Sequence, residues 1–222
     1  MNVGVNVAKL SKDVKLLEQR YIDLARSYSP ATLLEASEKK GALSSGIKPI
    51  SKHFRICGPA LPVSSPPGDN LMLHEAITLA RPGDVLVVET SREYEAGYWG
   101  DIMTHAALER GIQGIVIDGC VRDYDDIIQA NFPVFSRGLC IRGTTKKGGG
   151  TINDPIKIGE VTISTGDLIV GNSDGVVVIP KEKVPVVLNN AKKREDLEKV
   201  IREEIKKGKT TMDIYGWKPS KN

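Results

Sequence analysis

A chain of 222 residues with 40% apolar side chains can bury a full core, and its length fits one large domain over 1–222 better than two. The formal net charge is only +3 with acidic and basic residues interspersed, which excludes the basic stripe of a nucleic-acid-binding protein. Met1 to Lys15 holds no apolar signal stretch, and no later segment reaches membrane-spanning length. Cys57, Cys120 and Cys140 are too scattered for a disulfide framework or a thiolate metal cluster, so a soluble, cytoplasmic protein without membrane partners is expected.

The N-terminal segment 1–45 reads as helical. Val14, Leu17, Tyr21 and Leu24 recur at helical spacing over 13–27, and Ser29-Pro30 starts a second helix with a cap followed by proline at the first position. His53 to Val63 reads as a strand. After the loop from Ser64 to Asn70, Asn70 caps a helix that begins near Leu71. The turn Arg81-Pro82-Gly83-Asp84 leads into Val85-Leu86-Val87-Val88-Glu89, a strand apolar enough to be buried on both faces. From Asp101 the pattern is helical, with Ile102, Met103, Ala106, Ala107 and Arg110 on one side and Gly111 as the stop. The strand Ile115-Val116-Ile117 follows at once.

From Asn131 the chain turns to short strands at 133–135, 156–158, 161–163, 168–170 and 176–179, separated by glycine-bearing turns. Lys146-Lys147-Gly148-Gly149-Gly150 reads as a flexible loop, open to ordering by a neighbouring subunit. The C-terminal helix and arm occupy 184–222. The helix, near Val184 to Lys207, is expected to bury Leu197, Val200, Ile201 and Ile205 and to pair Glu195/Lys199, Glu198/Arg202 and Glu203/Lys207. The tail beyond Gly208, with Met212, Ile214, Tyr215 and Trp217, suggests an arm that packs on another surface.

The fold class is therefore α/β with a central parallel strand-helix-strand unit and flanking N- and C-terminal helices. Ligands of open parallel sheets sit outside the carboxyl ends of the strands, where Asp118 to Asp123 leaves its strand. The helix after Gly100 starts at the same edge, so the free N–H groups of Ile102 and Met103 face whatever Arg122 and Asp123 hold, and an anion is the natural guest. Two readings of Asp101, Arg122 and Asp123 stand at this level: helix caps with a structural ion pair, or a cleft in which two carboxylates and a guanidinium converge. Carboxylate ligands suit Mg²⁺ or Mn²⁺, and a planar permanent cation such as Arg122 suits a carboxylate or an enolate oxygen. His53, His74 and His105 show no metal-type pairing and read as structural or exposed. Tyr98 and Trp99 either wall the pocket or pack beneath the sheet.

Gly68-Asp69-Asn70-Leu71 with His74, Ala80 to Val88, Gly100-Asp101, Asp118-Gly119 with Val121-Arg122-Asp123, Gly166-Asp167 and Asp174 to Pro180 together resemble the RraA-like family, over roughly 30 to 215. The resemblance implies a swivelling β/β/α sandwich, assembled as a homotrimer or hexamer with active sites at subunit interfaces. Its enzymatic branch, the 4-hydroxy-4-methyl-2-oxoglutarate aldolases, implies a class II pyruvate aldolase with oxaloacetate decarboxylase activity, acting on a small 2-oxo acid. By that resemblance Asp123 is the metal ligand, Arg122 contacts the keto or enolate oxygen, and the Gly100 to Met103 segment binds the carboxylate. Asp101 matches a water-linked acid that shuttles protons, and Glu198 matches a glutamate arriving from the adjacent subunit, with Glu195 as the fallback. The family's other branch, non-catalytic regulators that dock on a ribonuclease, lacks an aspartate after its arginine. Glu89 to Glu93 stands where many members carry a glycine-rich run, so a different pocket rim is expected.

Overall fold

The computed structural model describes residues 17–218; the expectation for Val14 and the end of the arm lie outside them. α1 (Gln19–Arg26) buries Ile22 and Ala25. Leu24, expected on the packed side, is exposed, and Tyr21 is only half-covered. The buried stripe is thus shifted by one residue, about 100° around a helix of 3.6 residues per turn. α2 (Pro30–Ala36) begins as its sequence dictates: the Ser29 hydroxyl accepts the Thr32 N–H at 3.0 Å and Pro30 takes the first turn.

Next come β1 (Lys48–Pro49), β2 (Ile56–Ser64), α3 (Leu71–Leu79), β3 (Val85–Glu89), α4 (Asp101–Glu109) and β4 (Gly114–Asp118). β2, β3 and β4 are parallel neighbours, and the register pairs Val85 with Gly114 and Glu89 with Asp118. Val85, Leu86, Val87 and Val88 are fully buried, as a strand covered on both faces requires. The α4 face that packs is Met103, Thr104 and Ala107, whereas Ile102, expected among the packed residues, is 72% exposed.

β5 (Cys120–Val121), α5 (Tyr124–Gln129), β6 (Val134–Ser136) and β7 (Gly138–Leu139) follow. α5 is too short for its periodicity to show in the sequence, and its only fully buried residue is Ile127. Phe132, just beyond it, stacks on Trp99 with ring centroids 5.8 Å apart. β8 (Thr151–Ile152), β9 (Ile156–Ile158), β10 (Val161–Ile163), β11 (Leu168–Asn172) and β12 (Gly175–Ile179) complete the strands. The main sheet has eight strands in the order β1-β6-β4-β3-β2-β11-β12, with β8 pairing β2.

Alternation along β11 and β12 divides the apolar residues between two clusters. Leu168, Val170, Val177 and Ile179 meet the N-terminal helices, while Ile169, Val176 and Val178 join the main core. α6 (Val184–Lys206) closes the first cluster through Val184, Val187, Leu188 and Ala191. Beyond Ala191 the expected burial fails: Leu197 is 59% and Val200 60% exposed, Ile205 is exposed, and Ile201 is only partly covered. A helix of 23 residues spans about 34 Å at ~1.5 Å per residue, longer than the layer of α1 and α2 beneath it. Its Glu198–Arg202 pair forms at 3.4 Å, but Lys199 turns to Asp196, Lys206 to Glu203 and Lys207 to Glu204, all one residue closer than expected. α7 (Thr211–Tyr215) opens with a Thr210/Asp213 capping box, and Tyr215 stacks on Trp217 at 4.6 Å. No helix among the described residues is long and apolar enough to cross a membrane.

Trp99 and Phe132 join the core to the segment that precedes α4. Phe132→Ala should cost about 3–5 kcal/mol, the range for emptying a buried aromatic site. Urea unfolding followed by tryptophan fluorescence measures it; an unchanged midpoint would show that the stack carries no packing energy.

Candidate active site

The parallel register of β3 and β4 brings Glu89 and Asp118 to one edge of the sheet. Beyond that edge the two chains keep bonding. Tyr98 donates its N–H to the Cys120 carbonyl at 2.9 Å, and Arg122 donates to the Trp99 carbonyl at 2.9 Å. On the outer side Gly97 donates to Arg142 at 2.8 Å and Cys140 to Val121 at 2.9 Å. This backbone ladder fixes Gly100-Asp101 beside Arg122-Asp123. Below it, Asp118 is nearly buried and pairs with Arg137 at 2.5 Å, so the first acid of its segment is structural.

Asp123 sits in a left-handed backbone conformation, φ 58° and ψ 45°, at the start of α5. Such a position is costly for a residue other than glycine and persists only where the surroundings enforce it. Its side chain does not cap α5. It reaches across instead, and Oδ2 accepts the Asp101 N–H at 3.1 Å and lies 3.5 Å from Arg122 Nε. Gly100 makes this approach possible, since a Cβ there would lie 2.2 Å from Asp123 Oδ2. Arg122 runs through a slot with glycines on three sides: a Cβ at Gly97 would lie 3.1 Å from its Cβ, one at Gly100 3.5 Å from its Cγ, and one at Gly143 3.4 Å from its NH1. The α4 N-cap, Gly100, supplies no side-chain acceptor, and Asp101 is the first helical residue. The Ile102 and Met103 N–H groups, lacking intrahelical acceptors, therefore remain for a ligand.

These groups border a cavity of about 280 Å³. Every candidate of this chain from the two segments lines it: Gly100, Asp101, Ile102, Met103, Arg122 and Asp123. Of the two readings open at the sequence level, helix capping fails for both aspartates, while the Arg122–Asp123 ion pair exists within the cleft. Tyr98 and Trp99 are fully buried and also border the cavity, so both expectations for them are met. Glu198 and Glu195 lie on α6 and do not line it. Glu198 pairs with Arg194 at 3.1 Å and with Arg202 on its own helix. Nor does any residue of Glu89 to Glu93, so the expected change of rim does not reach the cavity wall.

The rest of the lining escaped the sequence reading. It comes from Asn70, His74, Thr144 and Lys146. His74, read as structural or exposed, belongs to the site, and burial followed by the Lys146 charge holds its imidazole below the ordinary value and therefore neutral at pH 7. Asn70 does not cap α3. Its amide donates to the Tyr98 carbonyl at 2.9 Å and to Met103 Sδ at 3.5 Å, tying the start of α3 to the start of α4. A signal existed: Asn70 and His74 are four residues apart on a helix that starts at the same sheet edge as α4, so both face one side. Lys146 gave no such signal. Its loop, expected to be flexible, is pinned by Asp69, whose carboxylate accepts from Leu71 N, Thr145 Oγ1, Lys147 N and Gly148 N. Burial raises the Asp69 carboxyl, but these donors outweigh it and hold the group below its usual range.

As a metal centre the cavity suits one class of ion. No group of three or more His, Cys, Asp or Glu side chains among the described residues could cage a metal. A single carboxylate, with a second at hand in Asp101, matches a hard cation of the Mg²⁺ kind, which keeps several waters and takes few protein ligands. Asp123 Oδ2 is committed to the Asp101 amide, which leaves Oδ1 for such an ion.

Comparison with known proteins adds four findings. A family model described as RraA-like, Aldolase/RraA, matches residues 30–178. A Halalkalibacterium halodurans protein provisionally named 4-hydroxy-4-methyl-2-oxoglutarate aldolase is 39% identical over 175 residues, 79% of this chain and 83% of its own length. Among solved structures, an uncharacterised protein from Pseudomonas syringae pv. tomato superposes with a TM-score of 0.81 at 34% identity, covering 88% of this chain and 92% of that one. Streptomyces coelicolor RraAS2, described as an unusual member of an RNase ES inhibitor family, reaches 0.75 at 25% identity over 84% of this chain and 98% of its own.

Two substitutions test the geometry. Gly100→Ala should displace the Asp123 carboxylate and cost about 1–3 kcal/mol, as overpacking does, read as a lowered urea midpoint. Asp69→Asn should cost about 1–3 kcal/mol at neutral pH, where the loop donors lose their charged acceptor. The folded-state pKa of Asp69 is depressed, so its contribution is complete above the unfolded value of about 3.9 and fades as pH falls through the folded one. The gap between wild type and Asp69→Asn should therefore narrow as pH falls below the unfolded value and through the depressed folded one; a gap constant with pH would contradict the assignment.

Proposed function

The chain belongs to the RraA-like family, and from that premise we propose that it is a divalent-metal-dependent lyase that cleaves 4-hydroxy-2-oxo acids, of the 4-hydroxy-4-methyl-2-oxoglutarate type, to pyruvate. The observation that supports this reading most is the meeting of Arg122, Asp123 and the free α4 amides in one cavity. The substrate's carboxylate binds the N–H groups of Ile102 and Met103, at the positive end of α4. Arg122 donates to the 2-oxo oxygen. When the 4-hydroxyl loses its proton, the C3–C4 electron pair moves to form the C2–C3 double bond, and negative charge gathers on the oxygen that Arg122 faces. The carbonyl product leaves, and C3 then takes a proton to give pyruvate. Asp101 holds and returns that proton through water.

Asp123, with water, would hold Mg²⁺ or Mn²⁺, which supplies a further positive charge for the developing enolate oxygen. Oxaloacetate yields the same enolate when carbon dioxide is the leaving group, so decarboxylation follows from the same residues. Glu198, or Glu195 in its place, completes the site from an adjacent copy in a homotrimer or hexamer.

The likeness to RraAS2 favours a second reading, a non-catalytic protein that regulates a ribonuclease. Asp123 after Arg122 weighs against it, because the regulator branch lacks that aspartate. Pyruvate release from 4-hydroxy-4-methyl-2-oxoglutarate, coupled to lactate dehydrogenase, separates the two. Turnover should require Mg²⁺ or Mn²⁺, stop in EDTA and return on adding the cation; Asp123→Ala should fall about 10²-fold or more, the scale of a lost charge-stabilising group. Equal rates in EDTA, or no pyruvate from any 4-hydroxy-2-oxo acid, would refute the proposal.

A further inference from the structure

A second cleft, of about 440 Å³, lies between the α1–α2 turn and the entry to the parallel strands, where Ile56 and Cys57 open β2 and Gln113 precedes β4. The active-site cavity lies beyond the other end of these strands, and no residue lines both. The charge of the second cleft is of one sign. Arg26 and Arg55 line it, no Asp or Glu does, and neither arginine makes an ion pair among the described residues. Asp23, whose charge reaches Cys57, accepts from Gln19 at 2.8 Å on its own helix and does not line the cleft. Burial pushes the Cys57 thiol up to about 11 against the pull of Arg26, so it stays protonated at pH 7 and adds no negative charge.

Both guanidiniums are oriented without being neutralised. Arg55 donates from NH1 to the Lys52 and Phe54 carbonyls at 3.0 Å each, which leaves its Nε and NH2 groups for a ligand. Arg26 donates from NH2 to Gln113 Oε1 at 3.0 Å, a neutral partner that ties α1 to the start of β4. A guanidinium held in this way keeps its full charge and the planar fork that pairs with a phosphate through two parallel hydrogen bonds. Beside the arginines, Ser27, Ser29 and Gln113 bring hydroxyl and amide groups, which match a polyol. The cleft is also too large for a bare phosphate. At about 30 Å³ per water in the liquid, 440 Å³ holds about fifteen groups of that size. Inorganic phosphate has five non-hydrogen atoms, and a hexose monophosphate has sixteen.

We propose that this cleft binds a phosphorylated sugar, with the phosphate between Arg26 and Arg55 and the hydroxyls on Ser27, Ser29 and Gln113. Reactants of an open parallel sheet sit outside the carboxyl ends of the strands, so a ligand at the opposite end is not the substrate of the lyase reaction. The inference stands apart from the pyruvate-forming reading, since it uses none of that site's residues.

Calorimetry on the full chain tests it, with glucose 6-phosphate and ribose 5-phosphate as probes and inorganic phosphate and glucose as the separate halves. At least one sugar phosphate should bind about tenfold or more tightly than either half, the scale of a hydrogen bond to a charged group, and its affinity should fall as salt is added. Arg26→Gln and Arg55→Gln should each weaken it about tenfold or more. Both side chains are exposed, so the urea midpoint should stay at the wild-type value. Arg55→Lys, which keeps the charge without the fork, should fall between wild type and Arg55→Gln. Arg122→Gln, which alters only the first cavity, should leave the affinity unchanged. No binding of either sugar phosphate, equal affinity for inorganic phosphate, affinity unchanged in both glutamine variants, or affinity lost in Arg122→Gln overturns the inference. None of these outcomes bears on pyruvate release.

Discussion

The contact on which the site depends is the one between the Asp123 carboxylate and the start of α4. It demands three unusual things at once: a non-glycine residue in the left-handed region, a glycine at the α4 N-cap, and two loop segments held in register beyond the sheet edge. Each cost of this kind, about 1–3 kcal/mol for the backbone strain, is offset by the ladder that joins 97–99 to 120–122 and by the buried Trp99–Phe132 stack beneath it. A carboxylate in this position cannot relax into an ordinary cap. One oxygen is held by an amide and by Arg122, and the other is left to act.

From that contact follows the electrostatic character of the cavity. Its lining offers helix amides, a guanidinium, an ammonium and acids, with a neutral imidazole among them. An anion with an electron-rich oxygen next to its carboxylate suits such a lining. The exposed Ile102 at the lip, and the apolar stripe of Leu197, Val200 and Ile205 on α6, mark surfaces this chain leaves uncovered.

The strand-helix-strand unit was legible because its signals are local. Val85 to Val88 is apolar without interruption, Gly111 stops the helix with φ +68°, and the second strand begins three residues later. Gly100 to Met103 and Arg122-Asp123 could be placed for the same reason, since a parallel register puts both at one edge. The contribution of the 144–146 loop was hidden because it is assembled by tertiary contacts: Thr145 reaches Asp69 across 76 residues, and nothing near Lys146 in the chain announces a cavity. α6 shows a further limit. Its periodicity reveals an apolar stripe but not where the supporting layer ends, so the burial of Leu197 and Val200 was expected and does not occur within this chain.

The most direct measurement is a crystal structure of the full chain with Mg²⁺ and oxalate, a planar dianion that mimics the pyruvate enolate. Asp123 should ligate the ion through the oxygen not held by the Asp101 amide, with the oxalate on the Ile102 and Met103 N–H groups and beneath Arg122. Oxalate bound elsewhere, or an ion that leaves Asp123 out of its coordination, would contradict the central claim.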